Sequence, residues 1–128
     1  MKFFKRNLSV QDRARLDRAK NVAATSDCRY MHGAVAVRGG RILAVGINSY
    51  RNTFPLFDMV PPYGRSLHAE EACLKALGGE ADGVTMYVAR VNRRGEEMMS
   101  KPCNACTQLL RDAGVKKVVY TIDSQISL

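Results

Sequence analysis

Two short stretches of this sequence hold side chains that could do chemistry together: His68-Ala69-Glu70 and, further along, Pro102-Cys103-Asn104-Ala105-Cys106. One imidazole and two thiolates are three ligands of the kind zinc takes, and three protein ligands leave the fourth tetrahedral position open for water. A structural site more often closes the tetrahedron with a fourth Cys or His. Glu70 is then a carboxylate beside the open position that is not spent on the metal. It can take a proton from a water held there and deliver it to a substrate nitrogen. Attack of that water at a ring carbon bearing an amine, with departure of ammonia, is hydrolytic deamination. Glu71, the adjacent carboxylate, points elsewhere on a helix and is assigned to the surface or to a salt bridge.

Other readings of the same residues stand beside this one. A Cys-x-x-Cys is also a redox spacing, and a lone His-x-Glu has almost no specificity. A structural zinc-binding module is the non-enzymatic alternative, and it needs a fourth ligand. His32 is the only other histidine, and Cys28 and Cys73 are the only other thiols. Cys73 falls five residues beyond His68, off its helical face, and both isolated cysteines read as free buried thiols. His32, next to the first strand, reads as structural.

The elements that must position these groups follow from the pattern of the chain. A first helix begins at Ser9, with Asp12 three residues later as an approximate capping box, and ends at Thr25-Ser26-Asp27. Gly33 to Val37 and Ile42 to Ile47 read as two strands joined through Gly39-Gly40, a strong hairpin signal. Asn48 to Arg65, with Pro55, Pro61 and Pro62, is too proline-rich for a regular helix or central strand; a loop this long in a small domain is usually functional. His68 to Leu77 is a second helix stopped by Gly78-Gly79, and Val84 to Val91 a third strand. Asn92 to Gly95 is a turn whose Arg93 and Arg94 form a solvated tip, and Glu96 to Ser100 runs back as a short strand or loop. Cys103 to Ala113 is a third helix ended by Gly114, Val115 to Ile122 a fourth strand, and Gln125 to Leu128 a short edge strand. Helices alternating with strands in this order pack on one mixed sheet. Both halves of the candidate zinc site then sit at helix starts. Exposed N–H groups and the positive dipole end favour thiolates there, and Pro102 costs little because its missing N–H is not needed.

Length and composition set outer bounds. The 128 residues are read as one domain, 1–128, of ordinary balance, 46% hydrophobic and 25% charged. No apolar run approaches the roughly 20 residues that span a bilayer. The basic N-terminus lacks the apolar stretch of a signal peptide, so no membrane partner and a cytoplasmic location are expected. The net charge is +8, and residues 1–20 carry seven Lys or Arg against Asp12 and Asp17. That surplus favours anionic partners such as nucleotide or nucleic-acid phosphates, and equally describes a solvated basic helix face.

His68-Ala69-Glu70 with Pro102-Cys103-Asn104-Ala105-Cys106 resembles the signature of the zinc-dependent cytidine and deoxycytidylate deaminase superfamily. Gly33-Ala34-Val35, Gly46-Ile47-Asn48 and Leu109 to Tyr120 are similar to further segments of that family, so the likeness covers roughly residues 9–122. It implies an α/β fold of three layers, α-β-α, with a mixed sheet of four to five strands and helices on both faces. It implies zinc (Zn2+) on His68, Cys103 and Cys106, with Glu70 as the catalytic proton shuttle. It implies that Asn48 binds the substrate sugar, that the backbone of Ala34 lines the base pocket, and that Ala69 and Cys103 offer backbone groups to the base. A homo-oligomer is expected on the same ground.

The substrate is read from what surrounds the motif. Arg51, Tyr63 and Arg65 lie in the long loop, placed to meet a phosphate or stack on a base. The His-type motif, that loop and the positive charge lean toward a small-molecule cytosine nucleotide, with deoxycytidylate converted to deoxyuridylate as first choice. Deamination of cytosine or adenine in single-stranded nucleic acid is the runner-up, and free cytidine or deoxycytidine the third reading. The segment Asn92–Lys101 between the third strand and Pro102 departs toward the free-nucleoside enzymes, whereas His68 stands where those enzymes commonly use Cys. The chain stops soon after the fourth strand, which weighs against a large nucleic-acid footprint.

Overall fold

The structure, a computed structural model, describes residues 8–49 and 67–128. Most of the predicted long loop, with Arg51, Tyr63 and Arg65, lies outside the described residues.

The first helix, α1 (Val10–Ala23), starts where the capping signal predicts: Ser9 Oγ accepts the N–H of Asp12 at 3.0 Å. Strands β1 (Met31–Arg38) and β2 (Arg41–Ile47) form the expected antiparallel hairpin. Its two-residue loop places Gly39 and Gly40 at φ of 60° and 78°, the left-handed geometry that tight hairpins require at both positions. Helix α2 (Ala69–Leu77) and strand β3 (Thr85–Val91) follow, then the two-residue strand β4 (Glu97–Met98). Helix α3 (Asn104–Ala113) ends at Gly114 with φ of 94°, and β5 (Lys117–Tyr120) and β6 (Ser124–Ser127) complete the chain.

The sheet runs β2-β1-β3-β5-β6, with β4 pairing to the end of β3. All contacts between neighbours are antiparallel except β3–β5, which are parallel and joined through α3. Six strands stand where four to five are expected, because both short segments pair: β4 with β3, β6 with β5.

Alternation along the strands divides the core into two layers. On one face Ala34, Ala36, Met86, Val88, Val118 and Tyr120 pack with Ala69, Cys73 and Leu77 of α2 and Leu110 of α3. On the other, Val35, Val37, Tyr87, Ala89 and Val119 receive Leu16 and Ala19 of α1. The three layers are the α-β-α arrangement that the resemblance implies.

Two strand glycines set the separation between layers. A Cβ on Gly33 would meet the backbone of α1, at Ala23 N and, at 2.7 Å, Ala19 O. A Cβ on Gly46 would lie 2.5 Å from Cys73 N and 2.7 Å from Ala69 O, so α2 rests directly on β2. Both contacts bring helix backbone against strand backbone, which no larger residue permits. Among the described residues no helix is long and apolar enough to cross a membrane.

Candidate metal centre and pocket

The site lies at one end of the sheet, where β1 begins and β2, β3 and β5 end. The parallel pair β3–β5 points its carboxyl ends there, the usual location of ligand crevices in open α/β sheets. Leu67 pairs with Ser49 through two backbone hydrogen bonds, which carry the chain from the end of β2 toward α2.

His68 is not in the helix. It is the N-cap of α2, with extended backbone at φ −79° and ψ 151°. That resolves a spacing problem: two positions apart on a helix diverge, but an extended cap followed by the first turn lets His68 and Glu70 face one cavity. Glu71, expected at the surface or in a salt bridge, instead caps the helix. Its Oε1 accepts the backbone N–H of His68 at 3.0 Å, half of a capping box, and so fixes where the helix starts.

Cys103 occupies the same place on the other helix. It is the N-cap of α3, and its Sγ accepts from Cys106 N at 3.4 Å. His68 Nδ1 stands 3.2 Å from Cys106 Sγ and 3.9 Å from Cys103 Sγ, and all three donor atoms lie within 4.8 Å of one another. Tetrahedral zinc with bonds of about 2.0–2.3 Å needs donors about 3.5–3.8 Å apart. Two soft sulfurs and an imidazole at this spacing fit that ion. No other cluster of three such donors occurs among the described residues, and Cys73 is turned away, its Sγ directed at Ala44 O in the core.

The Cys106 thiol does not ionise easily by itself. Burial, then the negative field of Glu70, pushes the Cys106 thiol up, against the helix-start effect expected from the sequence. A cation among the donors reverses that preference. Burial also pushes the Glu70 carboxyl up, with the positive field of His68 opposing, and Glu70 is 5% exposed.

The cavity beside the donors, about 290 Å³, is lined by Cys28, Tyr30, His32, Asn48, His68, Glu70, Ser100, Lys101 and Cys103. Asn48 is both a lining residue and a structural clasp. Its Oδ1 accepts from Ser26 Oγ at 2.7 Å and His32 N at 3.0 Å, and its Nδ2 donates to Tyr30 O at 2.6 Å. One N–H of the amide remains uncommitted among the described residues. Ala34 and Ala69 sit in the core cluster between sheet and α2, not among the lining residues. Burial, opposed by the hydrogen bond to Tyr30 O and joined by the positive charges of Arg90 and His68, pushes His32 down.

Tyr30 and Ser100 are lining residues that the sequence did not single out. Ser100 clamps the segment before Cys103: its N–H donates to Thr121 O at 2.7 Å, and its hydroxyl lies 2.9 Å from Val88 O and 2.8 Å from Thr121 Oγ1. A serine before Lys101-Pro102 gives no local signal of this, since its partners lie on β3 and just beyond β5. Only its adjacency to the cysteine motif could have drawn notice.

Comparison with known proteins now bears on this geometry. The model of the cytidine and deoxycytidylate deaminase zinc-binding region matches residues 9–122. The chain belongs to that family. Its zinc-binding character agrees with the His68, Cys103 and Cys106 cluster. Among solved structures, the deoxycytidylate deaminase of cyanophage S-TIM5 without ligand is 27% identical with a TM-score of 0.65, covering 88% of this chain and 84% of that one. The same phage enzyme in complex with dCMP and dUMP is 25% identical, with a TM-score of 0.61 over 89% and 83% of the two chains. Cytidine deaminase of Mycobacterium tuberculosis, 24% identical with a TM-score of 0.59 over 88% and 85%, shares the fold. No curated protein matches.

Proposed function

We propose that this deaminase acts on a cytosine nucleotide, converting deoxycytidylate and water to deoxyuridylate and ammonia. His68, Cys103 and Cys106 hold the zinc. Zinc, when bound, supplies the Lewis acidity that makes water a nucleophile near neutral pH. Glu70 takes one proton of the attacking water and delivers it to the ring nitrogen, then moves the second, from the hydroxyl so formed on the ring carbon, to the departing amine. Its burial suits a group that must hold a proton between those transfers. Asn48, locked by three hydrogen bonds, offers its remaining N–H to the sugar, and Cys103, which lines the cavity, offers its backbone to the base.

The observation that carries this reading is the shared cavity: a buried carboxylate faces the same space as His68 and Cys103, and no fourth protein donor closes the cluster among the described residues. The nucleotide is favoured by the likeness to the phage enzyme that binds dCMP and dUMP, and by the net charge of +8. Arg51, Tyr63 and Arg65 remain candidates for substrate contact from outside the described residues.

Ammonia release from dCMP, dCTP, cytidine, deoxycytidine and single-stranded DNA tests the proposal. dCMP should give the highest kcat/KM, and a preference for nucleoside or DNA would overturn the substrate. Glu70→Gln should keep about one zinc per chain while turnover falls by about 10²–10⁴-fold; unchanged turnover removes Glu70 from the mechanism.

A further inference from the structure

The pocket wall formed by Tyr30 and His32 is backed by a residue of unusual isolation. Arg90, next to last in β3, pairs across the strands with His32. Cross-strand partners project to the same face, so Arg90 shares the α2/α3 side of the sheet at the end where the cavity opens. Its guanidinium lies 4.8 Å from the centroid of the Tyr30 ring, and Arg29 approaches the same ring at 5.4 Å.

Arg13, Lys20, Arg38 and Arg94 all meet carboxylates. Arg90 meets none among the described residues, and its Nε is buried without a hydrogen-bond partner. An N–H left unpaired in that way is unfavourable. Stacking on Tyr30 offsets charge at the guanidinium face but supplies no acceptor for the N–H groups at its edge. The buried Nε is out of a ligand's reach, and the two terminal nitrogens present the planar pair of donors that matches phosphate oxygens. Arg90 is not itself a lining residue, but Lys101 is, and among the described residues Glu70 is the only carboxylate that lines the cavity. An anionic group entering there meets Lys101, with the Arg90 guanidinium standing against the Tyr30 ring that lines the same cavity.

We propose that Arg90 is a specificity-determining residue that binds the phosphate monoester of the nucleotide, with Tyr30 holding the guanidinium in place and Lys101 adding charge at the rim. This deepens the nucleotide reading above and rests on it for the identity of the base. It assigns the choice between nucleotide and nucleoside to a β3 side chain rather than to the proline-rich loop alone.

Calorimetric titration of the zinc-loaded protein with dUMP and with deoxyuridine tests the assignment without requiring turnover. The wild type should bind dUMP at least about ten-fold more tightly, as expected of a charge-assisted phosphate contact. Arg90→Gln should erase most of that difference while leaving the affinity for deoxyuridine within about two-fold. Lys101→Gln should narrow it less. Equal loss for both ligands would make Arg90 a packing residue, and an unchanged ratio would place the phosphate elsewhere; either overturns the proposal. If Arg90→Gln does not fold with its zinc, Arg90→Lys supplies the same test, since losing the fork should weaken dUMP several-fold and spare deoxyuridine. A dUMP preference that depends on Arg90, in a protein that deaminates nothing in the substrate panel, would uphold this site and refute the proposed reaction.

Discussion

The two faces of the sheet are built alike and used differently. Each carries a helix pressed backbone to backbone against a strand glycine, α1 over Gly33 and α2 over Gly46. On the α1 face the polar groups are satisfied within the protein. Tyr87 donates to Asp12 at 2.6 Å, and Arg13 reaches Asp17, Glu97 and Asp123 while Lys20 also bonds Glu97. On the α2/α3 face, Glu70 is buried and Arg90 Nε has no partner. One face spends its polar groups on holding the layers together, and the other keeps them in reserve for a ligand. Fold stability and chemistry are therefore separable by face, and substitutions can test the separation.

The largest effect should come from removing the metal. Stripping the ion with a chelator should cost about 4 kcal/mol at a metal concentration 1,000-fold above Kd, seen as a drop in melting temperature that added zinc reverses. No change in melting temperature would mean that the α2/α3 face does not depend on the ion.

Next come the paired glycines. Gly46→Ala and Gly33→Ala each force a Cβ into helix backbone and should each cost about 1–3 kcal/mol or more. The comparison predicts that only Gly46→Ala also weakens zinc binding and turnover, because it displaces Ala69 and with it the His68 cap. Equal loss of turnover per folded molecule in both variants would show that the faces are coupled.

The smallest effect belongs to the ion pairs. Arg13→Ala removes contacts to three carboxylates at a half-buried position and should cost about 1 kcal/mol, read by urea unfolding, with kcat/KM unchanged. A loss of activity there would extend the site across the sheet.

Much of this was legible from residue types and spacing. The metal donors, Glu70, the Gly-Gly hairpin, the Ser9 cap and the Gly114 stop are local signals, each tied to a side chain or a backbone angle that few other residues supply. What stayed hidden depends on partners distant in sequence. Ser100 gains its role from Val88 and Thr121, Glu71 from a cap that is itself a candidate ligand, and the role proposed for Arg90 from its lack of a carboxylate partner among the described residues. Asn48 shows the intermediate case: its position could be matched to a sugar contact, but its three bonds to Ser26, Tyr30 and His32 could not be foreseen. Gly46 carried a usable hint, since a glycine inside a strand often marks a close backbone approach.

The order of the donors along the chain has a consequence for how the protein acquires its structure. His68 precedes β3 and Cys103 follows it, while β3 itself is bordered by β1 on one side and β5 on the other. The two helix starts therefore meet only after the central strand has been inserted between segments far apart in sequence, a slow kind of contact to form. If the three-donor cluster completes only as the sheet closes, a refolding chain should capture zinc at the rate of the final folding phase, and capture before that phase would show that the helix starts meet first.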